Sequence, residues 1–250
     1  MKNNLKGLSL LVLSLFTSLV CLPFAFAKSF NGASEDNARR KAAGNVPGNS
    51  SSSFKSVYDS LQLNVSGLSR QAYDLTMKGI RQLQSQGKLV NDSIVTIVDF
   101  SRPSSEKRLF IIDTRNYRVL FNTWVAHGRN SGMEWAQSFS NTMSSLKSSL
   151  GFYRTGDTYI GGNGYSLKLQ GLEKGINDRA MDRAIVLHGA DYVSPAYLQT
   201  RGYMGRSYGC PAVSREEAYP IINTIKGGTC LFIYSPDKNY FSHSALLREA

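Results

Sequence analysis

With 250 residues, 42% of them hydrophobic, the chain has enough apolar surface for one well-filled domain, so it is neither a disordered tether nor clearly two domains. Its 29 Lys and Arg against 18 Asp and Glu give a net charge of +11, and loss of Lys2 and Lys6 with the leader described next lowers this by two, to +9. The basic residues are scattered, which describes a solvated surface and argues against a nucleic-acid partner. Outside the cytoplasm the natural anionic partners are wall polymers, phospholipid head groups and carboxylate-bearing peptides.

Lys2 and Lys6 precede an apolar run from Leu8 to Leu22, and Ala25-Phe26-Ala27 follows as an A-x-A cleavage site. Residues 1–27 are therefore expected to be a secretory signal, and the mature protein to be exported to the periplasm or cell envelope. The run is too short to span a membrane comfortably, so no transmembrane segment is expected after processing. Cys21 follows the bulky Val20, where a lipoprotein signal wants a small residue, and is read as a passenger in the apolar run. Residues 28–55, rich in Asn, Gly, Ser and Ala, bury too little to offset the entropy of ordering and are expected to be a flexible leader.

The folded domain is expected over 56–240, with 241–250 as a tail in which His243 has no assigned role. Ala72, Leu75, Met77, Ile80 and Leu83 recur at near-helical spacing and predict a helix near 69–86, stopped by Gly87. Ile94 to Phe100, Arg108 to Asp113 and Arg118 to Ala126 are short, β-branched and apolar, and read as strands, the last two joined in a hairpin through Thr114 to Tyr117. The Gly-, Ser- and Asn-rich region from His127 to Gly164 suits irregular loops and short strands, and loops of that length are usually functional. A strand through Ile185-Val186-Leu187 delivers His188, and another over Thr229 to Tyr234 carries Cys230. Between them Ser214-x-x-Glu217 caps a helix with Ala218, Ile221, Ile222 and Ile225 on its apolar face, in which Pro220 predicts a kink or a restart. The chain is mainly β with a few short helices.

The chemistry concentrates in Ile185-Val186-Leu187-His188-Gly189-Ala190 and, after a polar and aromatic loop, Gly205-Arg206-Ser207-Tyr208-Gly209-Cys210-Pro211. A thiol becomes a useful nucleophile when a base takes its proton or a cation holds the thiolate, and imidazole does both near neutral pH. Gly189 is expected to leave room for a substrate, and Gly209 to turn the chain sharply so that backbone N–H groups face a tetrahedral oxyanion. Singly these residues have plainer readings: Cys210 and Cys230 survive processing in a compartment where a disulfide can form, and a lone His is commonly a structural hydrogen bonder. A zinc set of His127, His188 and Cys210 is a further reading, but no C-x-x-C or H-x-x-x-H spacing supports it, and no metal or cofactor is expected.

Together, strand-His-Gly followed by Ser-x-Gly-Cys resembles the L,D-transpeptidase family (the YkuD-type catalytic domain), in particular its murein L,D-transpeptidase-like branch. The resemblance runs from the helix near Ser69 to the strand ending at Tyr234 and includes Val98-Asp99-Phe100-Ser101-Arg102-Pro103, Val125-Ala126-His127-Gly128, Gly171-Leu172-Glu173-Lys174-Gly175 and Lys226-Gly227-Gly228. It implies a mainly antiparallel β fold, sandwich or barrel-like, with the thiol in a channel beside the His. Position by position it makes Cys210 the nucleophile, His188 its base, Ser207 the motif Ser whose neighbourhood helps orient the imidazole, and Gly209 with Cys210 the backbone donors. The implied substrates are peptidoglycan stem peptides: attack after the L-centre of diaminopimelate, loss of terminal D-alanine, and transfer to an amine, or to water in an L,D-carboxypeptidase. Carbapenem-type β-lactams are the implied covalent inhibitors.

Many family members carry Arg or Asn two residues after the Cys, where this chain has Ala212, and Arg206 is expected to supply that charge. Arg206, His127, Gly189 and Tyr208 are the candidate substrate-binding residues, plain structural bonding standing equally open for His127. A reading of another class is a non-catalytic wall-binding module with a Cys210–Cys230 disulfide, which a count of free thiols separates from the enzyme.

Overall fold

A computed structural model of the chain describes residues 57–248; the expected signal and leader, with Cys21, lie outside the described residues. Helix α1 (Arg70–Ser85) begins where Ser69 Oγ accepts the N–H of Ala72 at 3.2 Å, and its apolar spacing puts Tyr73, Met77, Ile80 and Leu83 on one buried face. Each such side chain contributes about 1.5–3 kcal/mol on full burial. Asp99, fully buried at the end of β1 (Ile94–Asp99), accepts the Ser69 N–H at 3.0 Å and so ties the helix start to the sheet.

The predicted hairpin forms between β2 (Leu109–Asp113) and β3 (Arg118–Thr123), with Asp113 Oδ1 accepting the N–H groups of Arg115 at 3.1 Å and Asn116 at 2.9 Å across the turn. The remaining strands are β4 (Gly151–Gly161), β5 (Gly164–Gly171), β6 (Val186–Gly189), β7 (Ala212–Val213) and β8 (Cys230–Tyr234). All eight form one sheet in the order β3-β2-β1-β8-β4-β5-β6-β7, antiparallel except for the β1–β8 and β6–β7 pairs. The sheet curls until its edges meet: Ala126, just past β3, donates its N–H to Ala212 O of β7 at 2.8 Å. Of the sandwich and barrel forms expected, the molecule takes the barrel-like one, a nearly closed sheet whose edges are joined through this bridge. Short helices α2 (Pro195–Arg201), α3 (Arg215–Ile225) and α4 (Lys238–His243) complete the domain, and the apolar face of α3 packs into the core against β6, β5 and β1.

Three expectations change. The region up to Gly164, read as irregular loops and short strands, contains the long, 11-residue β4, which pairs with β5 across a register shift between Thr155 and Thr158. Its outer half is not buried and is rich in Gly and polar residues, so the composition looks like a loop although the backbone bonds to a neighbour. Helix α3 runs as one element through the exposed Pro220, so the restart does not occur. The expected tail folds onto the domain: Leu246 and Leu247 are buried, and the buried Glu173 carboxylate accepts Tyr240 Oη at 3.0 Å and the Ser244 hydroxyl.

Candidate active site

Strand β6 fixes His188 from both sides, in register with Ser166 of β5 and Ala212 of β7. Its Nδ1 lies 3.0 Å from the Gly189 carbonyl, which can only accept, so Nδ1 carries the proton and Nε2 keeps its lone pair. Burial is the main force pushing His188 below the ordinary imidazole range. The Gly189 bond opposes it, and the charge of Arg215 adds to it. The imidazole is therefore neutral at neutral pH, with the Nε2 lone pair available to accept a proton.

Gly189 does not open space for a substrate. A Cβ there would sit 2.9 Å from the Ala218 Cβ and 3.1 Å from the Arg215 Cα, so the glycine lets α3 pack against β6.

Cys210 lies in the turn before β7. Its Sγ accepts the Val186 N–H at 3.5 Å and donates to Ala184 O at 3.7 Å, and neither bond is to the imidazole. Val186 and His188 are alternate residues of one strand, about 7 Å apart on the same face. Burial pushes the Cys210 thiol up, against the pull of the Val186 N–H and the Arg183 charge. Cys210 and Cys230 are both free; Cys230 is wholly buried in β8, where burial pushes its thiol far up, so the disulfide reading is overturned.

The turn is held from beneath. Ser207 Oγ accepts the Gly209 N–H at 3.0 Å and donates to Cys210 O at 2.6 Å. Ser207 thus braces the turn instead of orienting the imidazole, and the Gly209 N–H is used there, away from any oxyanion. Gly209 has φ +128, and a Cβ would meet Lys147 O at 2.9 Å, so the expected sharp turn is present. The buried Ser148 hydroxyl joins this turn to the long loop before β4, accepting the Gly128 N–H at 3.0 Å and donating to Gly209 O at 3.0 Å.

His127 is fully buried beneath the site. Its Nδ1 is 2.8 Å from Arg108 Nη2, and its backbone carbonyl accepts the Ser207 N–H at 2.9 Å. An arginine only donates, so Nδ1 accepts and Nε2 carries the proton, toward Gly132 O at 3.4 Å. Burial first, then the Arg108 charge, pushes His127 down to about 3. Of the two readings open for it, structural bonding is the one its position fits. His127, His188 and Cys210 do not gather, and among the described residues no three His, Cys, Asp or Glu side chains group as metal ligands.

His188, Ser207, Tyr208, Arg206 and Cys210 line one cleft of ≈ 560 Å³. The cleft also takes Arg129, Asn163, Tyr192, Tyr197, Arg201 and Tyr203, none of which was singled out from sequence, and no carboxylate is among its lining residues. The available signal was the density of Tyr and Arg between His-Gly and Gly-Cys. Arg206 Nη1 donates to Arg129 O and Gly132 O, each at 3.1 Å, and the Arg129 guanidinium lies over the Tyr208 ring at 5.7 Å.

The sequence model described as the L,D-transpeptidase catalytic domain matches residues 64–234. Among solved structures the chain is similar to an L,D-transpeptidase from Mycobacterium smegmatis, at 12% identity and TM-score 0.35 over 57% of this chain and 59% of that one. It is similar to the L,D-transpeptidase LdtMt1 in complex with imipenem, at 12% identity and TM-score 0.35 over 58% and 60%. A third is the helical cell shape determining protein Pgp2 from Campylobacter jejuni, at 12% identity and TM-score 0.38 over 65% and 56%. The chain spans less than two thirds of the length of these three, and likeness at this level carries no further weight. No curated protein matches.

Proposed function

The chain belongs to the L,D-transpeptidase catalytic domain family, and from that premise we propose that it is an exported cysteine acyltransferase acting on peptidoglycan stem peptides. The observation that carries this reading is a free Cys210 sharing one guanidinium-walled cleft with a His188 whose Nδ1 is tied back, leaving Nε2 as the base.

In the proposed reaction the thiol leaves Ala184 O, turns along β6 and gives its proton to Nε2 of His188. The thiolate attacks the carbonyl at the L-centre of diaminopimelate, and the backbone N–H of Cys210 is the donor assigned to the oxyanion. The imidazolium returns its proton to the leaving D-alanine amine as the tetrahedral species collapses to a thioester. An acceptor amine then attacks the thioester, loses its proton to Nε2 and frees the thiol. Water in place of the amine makes the same site an L,D-carboxypeptidase. Arg129, Arg201 and Arg206 in a cleft lined by no carboxylate favour a substrate bearing several carboxylates, as a stem peptide does.

The test is to mix the mature protein with a disaccharide tetrapeptide and read the products by mass spectrometry. Loss of D-alanine with a cross-linked dimer supports transfer, and a tripeptide alone supports hydrolysis. Turnover that survives Cys210→Ala would defeat the assignment. Acylation of Cys210 by a carbapenem, seen as an intact-mass shift absent from Cys210→Ala, is expected on the same reading.

A further inference from the structure

Arg183 belongs to no motif read from the sequence, yet its guanidinium is clamped directly behind the cysteine turn. Nη1 donates to Ser140 O at 2.7 Å and to the Ser149 hydroxyl; Nη2 donates to Lys147 O at 2.6 Å and to Ser145 Oγ at 3.3 Å. None of these partners is a carboxylate, and Arg183 forms no ion pair among the described residues. Nη2 lies 3.3 Å from the point that a Cβ on Gly209 would occupy, one residue before the thiol.

The backbone around this guanidinium is strained. Ala184, whose carbonyl meets Sγ, has φ +52, while Ser144 and Leu146 in the clamped loop have φ +55 and +57. A left-handed conformation costs a non-glycine residue about 1–2 kcal/mol, so three of them around one side chain mark a position the fold sustains against local preference.

We propose that Arg183 is the fixed counter-charge of the Cys210 thiolate, holding the anion once His188 has taken the proton. The inference rests on reading Cys210 as the nucleophile. Arg206, the residue expected to supply the charge missing at Ala212, stands on the cleft wall with Nη1 on two backbone carbonyls, whereas Arg183 lies behind the turn. Arg183 acts through Cys210 and touches no substrate, so it is a positioning residue. Its charge opposes the effect of burial on the thiol; burial pushes Arg183 itself down, and the Tyr153 and Cys210 charges act against that. The other ionisable groups lining the thiol's cleft are His188 on β6, Tyr192 on the loop after it, Tyr197 and Arg201 on α2, and Arg129, Tyr203, Arg206 and Tyr208 on the walls.

The experiment is alkylation by iodoacetamide across pH, followed by mass mapping of the Cys210 peptide in the full chain. In Arg183→Gln the rate at pH 7 is expected to fall about tenfold and the midpoint to move to higher pH, whereas Arg183→Lys keeps the midpoint near that of the parent. An unchanged midpoint in Arg183→Gln overturns the proposal. So does a Lys variant displaced as far as the Gln variant, which would mark a role in bonding alone. Should Arg183→Gln not fold, Ser145→Ala with Ser149→Ala removes two of the four bonds and keeps the charge; the midpoint is expected to stay, and its displacement overturns the proposal. Alkylation needs no peptide, so a protein that alkylates in this way yet never turns over a tetrapeptide refutes the proposed function and leaves the role of Arg183 standing.

Discussion

The Ser207 hydroxyl donates to the Cys210 carbonyl at 2.6 Å while accepting the Gly209 N–H at 3.0 Å, so one side chain closes both ends of the Cys210 turn. Ser207 is only 5% exposed, and water has little access to replace those bonds. Ser207→Ala leaves two buried backbone groups short of a partner and is expected to cost about 1–3 kcal/mol in urea unfolding, with slower alkylation of Cys210. Ser207→Thr keeps the hydroxyl and most of the stability. The acid limb of the alkylation profile should not move, because Ser207 makes no bond to His188; a displaced limb would restore the imidazole-orienting role.

Gly209→Ala tests the turn from the other side. At φ +128 any side chain is strained, and the new Cβ would press on Lys147 O at 2.9 Å, a backbone atom fixed by Arg183. The variant is expected to lose about 1–3 kcal/mol of stability and more than tenfold in tetrapeptide turnover, because relief requires the turn to rotate Cys210. A variant that unfolds at the parental urea midpoint would show that the turn tolerates a side chain.

Beneath the cleft the buried pair of Arg108 and His127 makes acid stability a readout of the scaffold. Arg108 also donates from Nε and Nη2 to Val125 O at 3.1 and 2.9 Å, and burial pushes it down to about 9. His127 sits near 3 in the folded protein and near 6.5 once unfolded, so the unfolded chain binds the extra proton between those values. The neutral His127 therefore contributes stability that is complete above about pH 6.5 and is lost as pH falls toward 3, with a slope of about 1.4 kcal/mol per pH unit. His127→Gln, which can still accept from Arg108, is expected to flatten that slope by about one proton in urea unfolding between pH 4 and 6. An unchanged slope would mean that His127 does not bury a neutral ring.

How much of this was legible in the sequence depends on how local each signal is. The α1 face, the β2–β3 hairpin and the strand delivering His188 follow from apolar periodicity and turn chemistry within short windows, and they appear where expected. The β4–β5 hairpin was hidden because its identity rests on cross-strand bonding, while the composition of its exposed half belongs to a loop. Cys210, Ser207 and Gly209 announced themselves by adjacency. What braces them did not: Ser148, Arg183 and Arg108 are 62, 27 and 102 residues before the cysteine in the chain, and only closure of the barrel brings them beneath one turn. The function of Gly189 was misjudged for the same reason, its neighbour being a helix that starts 26 residues later.

Recognition of a carboxylate should fall on Arg201 more than on Arg206. Arg206 enters the cleft with Nη1 committed to the carbonyls of Arg129 and Gly132, and the Arg129 guanidinium lies over Tyr208. Arg201 stands exposed in the last turn of α2, lining the same cleft. An exposed guanidinium contributes about 1 kcal/mol to a carboxylate contact, well below a buried pair. Arg201→Ala is therefore expected to raise KM for a free-carboxylate tetrapeptide about fivefold with kcat unchanged, while a substrate amidated at that carboxylate binds both proteins alike. Arg206→Ala should instead lower kcat, because releasing the two carbonyls loosens the His127–Gly132 segment beside Ser207. Raising ionic strength should shrink the Arg201 effect and leave the Arg206 effect in place, since only the first is a solvent-exposed Coulomb contact. Equal KM effects from both variants, with equal salt dependence, would make the two arginines one anion site and remove the division between reading the substrate and bracing the loop.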